Sequence, residues 1–492
     1  QMLADFRIGV DSEANMNSPD YIMESWYTVN RFSLVWLKSL FGMREFNPFA
    51  ENFFMLTGLV LCGVMGSFLF YECAGCSQRI RGFCRIFPLL FLSHPCLVQQ
   101  FAFTLQAAEV AMCMLTVLIS VFCVMRWAFG DRKGWLLAGF VFMVFGFGGY
   151  QALVPFYMAA ALAGYIIYYQ FHDGMERFYY LRAALRHAVA FVFGYVLYVL
   201  AGKAVTLWQF GPDFQVGYLE EQIAWKTRPV WECIGMIKSY IKEVALGSGP
   251  YYGPVFLIGS LIVLLYLLWG WFSGKRREYV LCMAAAAALV LSPFYLCFYQ
   301  GSGILMRSQL CLPFVSAFVG SAVLLVFQQP AEDRVMPLRM GLVRAGSAAA
   351  VFFLVLAGIR QGSISSRAAF IAQLTYENDR EVASQIVSQM HSMGASDAGM
   401  HIAMVGCLDS FQSDEELRRE IIGYSIFEWD FLGPVGVTRR GIGFMQAHGY
   451  PYEAATEEEY AAALETSKDM PSWPSDGAVR FSDGVVIVKF SE

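Results

Sequence analysis

ENFFMLTGLVLCGVMGSFLFYE, residues 51–72, carries charge only at its two ends and is long enough to cross a lipid bilayer as one helix. Such a helix takes roughly 20 mostly apolar residues. Similar apolar runs follow at about 85–104, 105–128, 134–150, 151–170, 184–207, 252–273, 278–297, 304–327 and 340–360. Of the 492 residues, 57% are hydrophobic and 15% are charged, whereas a soluble protein is roughly 25% charged. The sequence therefore predicts an all-α polytopic membrane protein with about ten spans.

Positive charge separates the loops between these runs into two sets. One set holds the clusters Arg79, Arg81, Arg85; Arg126, Arg132, Lys133; Arg177, Arg182, Arg186; Lys275, Arg276, Arg277; and Arg334, Arg339. Because Lys and Arg are concentrated in cytoplasmic loops, residues 1–50, the 208–250 loop and the C-terminal tail are expected outside. An outside N-terminal segment has to be carried across the membrane. We therefore expect one more span directly before Gln1, which makes about eleven.

Composition divides the chain into three regions. Residues 1–50 are an outer acidic loop with an interfacial amphipathic helix, 51–361 a transmembrane bundle, and 362–492 an extracytoplasmic α/β domain. In this last region Asp and Glu are more than twice as frequent as Lys and Arg. Its residues 367–390 are typical of a helix and HIAMVGCL (401–408) of a strand, while AVRFSDGVVIVKF (478–490) predicts a hairpin.

Charged side chains open the first region. Asp5, Arg7, Asp11 and Glu13 share one short window. The stretch Trp26–Phe41 after it is rich in Trp and Phe and is typical of a helix lying in the membrane plane. The acidic window is therefore either a solvated loop or a catalytic site where a span meets this helix.

A proline breaks the second apolar run. His94-Pro95 interrupts it, and Gln99 and Gln100 follow at once. Because proline removes a helix hydrogen bond, we expect a short helix that turns back near the outer leaflet. Polar side chains at membrane depth face protein or a water-filled cavity. The glutamines therefore either bind other helices only or line a substrate cavity.

Two more outer span ends are polar. Tyr150 and Gln151 begin one span, and Arg307 and Gln309 begin another, with Arg307 placed inside its apolar run. An arginine there either extends to the lipid headgroups or binds an anionic ligand. Its planar guanidinium suits a phosphate better than a lysine ammonium does.

Several function classes find no support. A net charge of −5 argues against a nucleic-acid-binding surface. Cys73 and Cys76 form a CxxC without a second pair, whereas a structural zinc takes four ligands. The chain has no Walker A, HExxH or GxSxG motif and no GxGxxG after a strand. These patterns require no cofactor, and Glu13 together with one Asp could ligate a divalent cation.

The order of several short motifs resembles the bacterial GtrII-like glucosyltransferases of the GT-C superfamily. The motifs are RIGVDSE (7–13), NRFSLVWLKSLFG (30–42), FNPF (46–49), SHPCLVQQFAF (93–103), GYQALVPFY (149–157), MRSQLCLPF (306–314), YSIFEWDF (424–431) and the ending at 470–491. The resemblance implies transfer of a sugar, commonly glucose, from a polyprenyl phosphate to a cell-surface glycan such as O-antigen. It also implies a bacterial inner membrane location.

The resemblance suggests roles for the outer residues. GT-C enzymes place an acidic base in the first outer loop, and Asp5 and Asp11 match it, with Glu13 as a partner. Arg307 is the candidate for the donor phosphate. The other candidate substrate-binding residues are Arg7, Arg31, His94, Gln99, Gln100, Tyr150, Gln151 and Gln309. The chain departs from the family where it reads Thr104-Leu105-Gln106 instead of an acidic residue, and Glu109 is a poor substitute.

Two other functions are compatible with a membrane bundle. A transporter or flippase of lipid-linked sugars would place polar residues near the midplane of both halves. Here the polar residues concentrate at the outer boundary, which favours the enzyme. A structural partner in glycan assembly would tolerate substitution of Asp5 and Asp11. The expected partners are therefore the lipid-linked sugar, the glycan acceptor and membrane lipids, without nucleic acid.

Overall fold

The structure, a computed structural model, describes residues 7–130, 132–173, 175–212, 223–272, 278–327, 337–408, 415–428 and 435–491. The candidate base Asp5 lies outside these residues, as do Lys275, Arg276, Arg277 and Arg334 of the predicted cytoplasmic loops. The described chain is mostly helical and has a small sheet near its C-terminal end.

Helices α1 to α17 precede the sheet. They are α1 (Ser12–Asn17), α2 (Pro19–Thr28), α3 (Phe32–Phe41), α4 (Pro48–Cys73), α5 (Arg81–Leu92), α6 (Cys96–Phe101), α7 (Thr104–Gly130), α8 (Lys133–Phe147), α9 (Leu153–Phe171), α10 (Tyr179–Phe210), α11 (Ala224–Thr227), α12 (Val230–Ala245), α13 (Pro254–Phe272), α14 (Tyr279–Leu291), α15 (Tyr295–Gln300), α16 (Cys311–Phe327) and α17 (Pro337–Ser392). Short 3-10 helices lie at Gln78–Ile80, Ser292–Phe294 and Met306–Ser308.

Seven helical segments of the described chain are long and apolar enough to cross a bilayer. They are α4, α7, α9, α10, α13, the segment Tyr279–Gln300 and most of α17. Helices α8 and α16 are apolar but shorter. The total of ten to eleven spans stays a prediction.

The break at His94-Pro95 is confirmed, because the run 85–104 forms two helices, α5 and α6, on either side of it. The placement of Arg307 inside an apolar helix is wrong. Arg307 lies in the 3-10 turn Met306–Ser308, and α16 begins only at Cys311. Gly301, which ends α15 with a left-handed backbone (φ 76°), starts this irregular connection.

A single helix over Trp26–Phe41 is also wrong, since α2 and α3 are separate. Asn30 between them has a positive φ of 59°, which a continuous helix does not allow. Trp26, Phe32 and Leu37 are buried in the bundle, so much of the apolar face packs against protein.

Glycines bring the central helices of the bundle close together. A Cβ atom on Gly146 of α8 would lie 2.5 Å from Val117 Cγ2 of α7, and one on Gly139 would lie 2.6 Å from Val124 Cγ2. A side chain there would force α8 away from α7, so these glycines set the helix spacing.

The C-terminal sheet has the strand order β2-β1-β4-β3, with β1 (His401–Val405), β2 (Glu453–Ala454), β3 (Val479–Ser482) and β4 (Val485–Lys489). Strand β1 is parallel to both β2 and β4, and β3 and β4 form the predicted hairpin. Its turn residues Asp483 and Gly484 both have positive φ, as a tight hairpin turn requires. Helices α18 (Gly436–Ala447) and α19 (Glu457–Ser467) complete the domain.

Helix α17 joins the bundle to the sheet domain without a break at the predicted boundary, position 361. Its Leu354 and Ala368 lie in the bundle core, and its Ile386 lies in the core of the sheet domain. Ile8 and Val10 of the N-terminal segment pack against the sheet-domain core as well. The N-terminal segment is thereby held between the two parts, with α1 against α18.

Candidate active site

A polar cavity of about 490 Å³ lies where the N-terminal helices, one end of the bundle and α18 meet. Its charged and hydrogen-bonding lining includes Asp11, Glu13, Arg31, Gln106, Tyr150, Arg307, Arg439 and Arg440. Tyr21, Trp26 and Phe103 supply aromatic surface beside them. Apolar walls with a few convergent polar groups are the usual composition of a small-molecule site.

Two carboxylates of the acidic window share one arginine in this cavity. Arg440 donates from Nη1 to Asp11 Oδ1 (2.8 Å) and to Glu13 Oε1 (2.6 Å). The side chain of Asp11 is 38% exposed and that of Glu13 is 3% exposed. Burial raises the pKa of Glu13 to about 7; Arg440 opposes this rise, and the charge of Asp11 adds to it. Both carboxylates line the cavity, and Asp11 is the more accessible of the two.

Arg31, the residue before α3, lines the same cavity and is held by three neighbouring side chains. Its Nε donates to Gln151 Oε1 (3.4 Å), and its Nη1 donates to Gln106 Oε1 (3.5 Å). The guanidinium lies 4.9 Å from the centre of the Tyr150 ring, a cation–π contact. The Tyr150 hydroxyl is 2.9 Å from Ser308 Oγ, next to Arg307. These contacts fix the direction in which Arg31 presents its charge.

Arg307 reaches the same cavity from its 3-10 turn. Its Nε lies 4.0 Å from Glu420 Oε2, a long contact between two side chains that are each about one-fifth exposed. The backbone N–H groups of Met306 and Arg307 also donate to the Glu420 carboxylate. The turn is thus fastened to the C-terminal domain, while Arg307 itself lines the cavity.

An apolar groove of about 800 Å³ begins one residue away from Arg31. Phe32 and Trp36 of α3 form one side, and residues of α7, α8 and α10, such as Phe140 and Phe193, form the rest. Arg31 lines the polar cavity and the next residue, Phe32, lines the apolar groove, so the surface changes from polar to apolar at the start of α3. This arrangement suits a ligand with a polar head and a long apolar tail.

A protein-family model described as Glucosyl transferase GtrII matches residues 1–327. The chain belongs to the GtrII glucosyltransferase family. The resemblance inferred from the short motifs is confirmed, and the protein is a glucosyltransferase by family. No curated protein and no solved structure is significantly similar to the chain.

The GtrII match ends where α16 ends and therefore contains only part of the cavity lining. Asp11, Arg31 and Arg307 lie within the matched residues, whereas Arg439 and Arg440 lie in the C-terminal domain beyond it. Sequence reasoning missed both of these arginines. The only sequence signal was that Arg439 and Arg440 are adjacent in an acidic domain. That signal does not show which residues they contact.

Other predicted substrate-binding residues of this GtrII protein lie away from the cavity lining. Gln99 donates to the Tyr251 hydroxyl (3.0 Å) and accepts from the Ile421 N–H (3.3 Å), so it ties α6 to the C-terminal domain. His94 Nδ1 accepts from the Cys96 N–H (3.3 Å) and caps the start of α6. Both side chains are buried, and their hydrogen bonds go to other groups of the protein.

Three further predicted residues are also buried elsewhere. Gln309 donates to the Tyr240 hydroxyl (2.8 Å) and to the Pro293 carbonyl (3.1 Å). Gln100 is fully buried, and its amide has no hydrogen-bond partner within the described residues. Arg7 lines a separate, small cavity of about 50 Å³ between the N-terminal segment and α17.

Asp11 and Glu13 of this GtrII protein share Arg440 as their ionic partner. Among the described residues, no group of three or more His, Cys, Asp and Glu side chains comes together. A divalent cation bound by Glu13 and one Asp stays a prediction.

A second ionic cluster lies inside the bundle, between α3, α4 and α7. Lys38 contacts the carboxylate of Glu51, and its Nζ lies 3.2 Å from Glu109 Oε1. All three side chains are fully buried. Lys38 Nζ is also 5.7 Å from the centre of the Trp26 ring, which lines the cavity on its other side. Glu109 is thus a structural partner of Lys38 and does not line the cavity.

Proposed function

We propose that this glucosyltransferase is an integral membrane enzyme of the bacterial inner membrane. It takes a sugar, glucose by family, from a polyprenyl phosphate and transfers it to a glycan on the outer face. The observation that carries the proposal is a polar cavity lined by the Asp11 carboxylate together with Arg31 and Arg307, with an apolar groove whose lining begins at the next residue, Phe32. This is the shape required by a lipid-linked sugar whose reacting atom lies at headgroup level.

The apolar groove holds the first isoprene units of the donor in this proposal. Its walls are nearly all aromatic or aliphatic, and it opens beside α3, where Arg31 and Phe32 separate polar from apolar surface. A lipid tail in the groove would place its phosphate at the start of α3. The donor is thereby selected by both its tail and its charge.

Arg307 and Arg31 bind the donor phosphate in this proposal. Both guanidinium groups face the cavity, and Arg31 is oriented by Gln106, Gln151 and Tyr150. Arginine suits this role because its planar fork can contact two phosphate oxygens at once. The negative charge that grows on the phosphate as it departs is stabilised by the same two groups.

Asp11 acts as the general base. Its Oδ1 is held by Arg440, so Oδ2 is the oxygen that takes the proton of the acceptor hydroxyl. As that proton leaves, the acceptor oxygen bonds to the anomeric carbon, and the bond from this carbon to the phosphate oxygen breaks. The electron pair of the broken bond goes to the polyprenyl phosphate, which leaves as an anion.

The direct test is an assay of the purified chain in lipid nanodiscs with radiolabelled polyprenyl-phosphate-glucose and isolated cell-surface glycans. We expect label to appear in the glycan and unlabelled polyprenyl phosphate to accumulate in equal amount. A flippase would move the donor between leaflets of a proteoliposome and leave its sugar attached. Movement of intact donor without any transfer would contradict the proposed reaction.

A further inference from the structure

One arginine of the C-terminal domain reaches into the cavity and contacts both carboxylates of the acidic window. Arg440 lies on α18, and Asp11 and Glu13 lie more than four hundred residues earlier in the chain. A second contact fastens the same two helices, because Asn17 Nδ2 donates to the Gly443 carbonyl (2.9 Å). A Cβ atom on Gly443 would lie 3.3 Å from Glu13 Cγ, so the backbones of α1 and α18 approach closely.

The three charged groups form an ordered chain from the protein interior to the cavity. Glu13 is 3% exposed, Arg440 is 9% exposed and Asp11 is 38% exposed. A buried arginine needs an anionic partner, because an isolated charge is costly to remove from water. Glu13 supplies that partner and fixes Nη1 of Arg440. The same Nη1 then fixes Oδ1 of Asp11.

We propose that Arg440 is the positioning residue for the catalytic base, so that the C-terminal domain completes the active site. The proposal rests on the proposed function of the cavity, in which Asp11 takes the acceptor proton. Arg440 holds one carboxylate oxygen of Asp11 and leaves the other directed to the acceptor. It also separates two carboxylates whose charges would otherwise repel each other.

This role assigns a catalytic purpose to a residue outside the matched family region. Residues 1–327 supply the base and the phosphate-binding arginines, and α18 supplies the group that orients the base. A bundle without its C-terminal domain would still contain Asp11. It would lack the contact that fixes the direction of the carboxylate.

The test compares Arg440→Met, Arg440→Lys and the exposed control Arg480→Gln in the full-length chain. Removing the guanidinium should lower kcat about 10²-fold, since misplacing a catalytic group by about 1 Å has that effect. The KM for the lipid donor should stay within about twofold, because the cavity arginines that bind the donor are untouched. Arg440→Lys should recover about tenfold of the loss, because a single nitrogen makes both contacts.

A purely structural role would lower the yield or thermal stability of Arg440→Met but leave the kcat of the folded protein unchanged. That result, or a rise in donor KM alone, would overturn the inference.

If Arg440→Met does not fold, Glu13→Gln replaces it, because the amide oxygen keeps a hydrogen bond to Arg440 but loses the charge. We expect its kcat to fall about tenfold at constant donor KM, and unchanged kcat would overturn the inference. Absence of transfer by the wild-type chain would instead contradict the proposed function.

Discussion

Two ionic clusters in this protein have the same composition, one cation and two carboxylates, in different surroundings. Arg440 with Asp11 and Glu13 lies in a cavity wall between two domains, and the Asp11 side chain is 38% exposed. Lys38 with Glu51 and Glu109 lies between three bundle helices, and all three side chains are fully buried. Only the first cluster can meet a substrate. The difference teaches that buried charge alone does not indicate a substrate site, since only the first cluster has a carboxylate that reaches a cavity.

The fully buried cluster of Lys38, Glu51 and Glu109 is named the sealed cluster, and the cluster of Arg440, Asp11 and Glu13 the cavity cluster. The sealed cluster still affects the cavity, because its neighbours line it. Lys38 lies two turns along α3 from Arg31 and 5.7 Å from the Trp26 ring, and both of these residues line the cavity. Fixing Lys38 between α4 and α7 therefore fixes the wall that carries Arg31. In the proposed mechanism the cavity cluster supplies the base, and the sealed cluster holds the helix that carries Arg31.

The largest expected effect is the loss of kcat when the accessible carboxylate of the cavity cluster, Asp11, is neutralised. Asp11→Asn should lower kcat by about 10²–10⁴-fold, the usual contribution of a general base, with donor binding nearly unchanged. The matched control is Asp20→Asn, an exposed aspartate on α2 that pairs with Arg44. Steady-state kinetics of glucose transfer measures both variants. Equal losses in the two variants would remove the special role of Asp11.

Substitutions in the sealed cluster should lower the stability of the fold. Lys38→Met leaves two buried carboxylates without a cation and should lower the free energy of unfolding by roughly 3–5 kcal/mol. Adding Glu51→Gln and Glu109→Gln to it removes the uncompensated charge and should restore most of that loss. Thermal unfolding in detergent measures all of these variants. A Lys38→Met protein as stable as the wild type would show that the cluster does not hold the helices.

Donor binding should depend on Arg307, which lines the cavity. Arg307→Lys keeps the charge but loses the two-pronged contact with phosphate, so the donor KM should rise about tenfold. Arg307→Ala should raise it further. The comparison variant is Arg480→Gln, whose side chain is exposed on the sheet domain. Donor saturation that is identical in Arg307→Ala and the wild type would remove the phosphate-binding role.

The smallest expected effect is a pH dependence of the cavity cluster. Burial raises the pKa of Glu13 to about 7, against the opposing charge of Arg440, so Glu13 gains a proton as the pH falls through that value. Protonated Glu13 holds Arg440 less firmly, so kcat should fall below about pH 7 toward the level of Glu13→Gln. Glu13→Gln should have a lower kcat that no longer changes over this pH interval. A wild-type profile that is retained in Glu13→Gln would assign the titration to another group.

Much of the fold follows from the sequence, because apolar runs of bilayer length have few alternatives to a helix. The acidic window, Arg31, Tyr150 and Arg307 were also predicted, and the structure places Asp11 and these three around one cavity. Arg440 was not predictable, since its partners lie more than four hundred residues away and no local pattern links them.

The ionic cluster at Lys38 shows a signal that the sequence contained. Charged residues inside apolar stretches need partners, so Lys38 and Glu109 each require one, although the sequence does not say which residue it is. Gln99 and Gln309 show the opposite case. Their polar character marked them as ligands of a substrate, but their hydrogen bonds go to other parts of the fold. Residue type alone cannot distinguish these two uses of a buried amide.

The most direct test of the account is the kcat of glucose transfer for Asp11→Asn and Glu109→Gln measured side by side. Both substitutions convert a carboxylate into an amide of the same shape, one in the cavity and one in the sealed cluster. Glu109→Gln leaves Lys38 paired with Glu51 alone, a neutral pair, so the fold is preserved. We predict that Asp11→Asn loses about 10²–10⁴-fold in kcat while Glu109→Gln stays within about twofold of the wild type. An equal or larger loss in Glu109→Gln, or normal turnover in Asp11→Asn, would contradict the assignment of catalysis to the cavity.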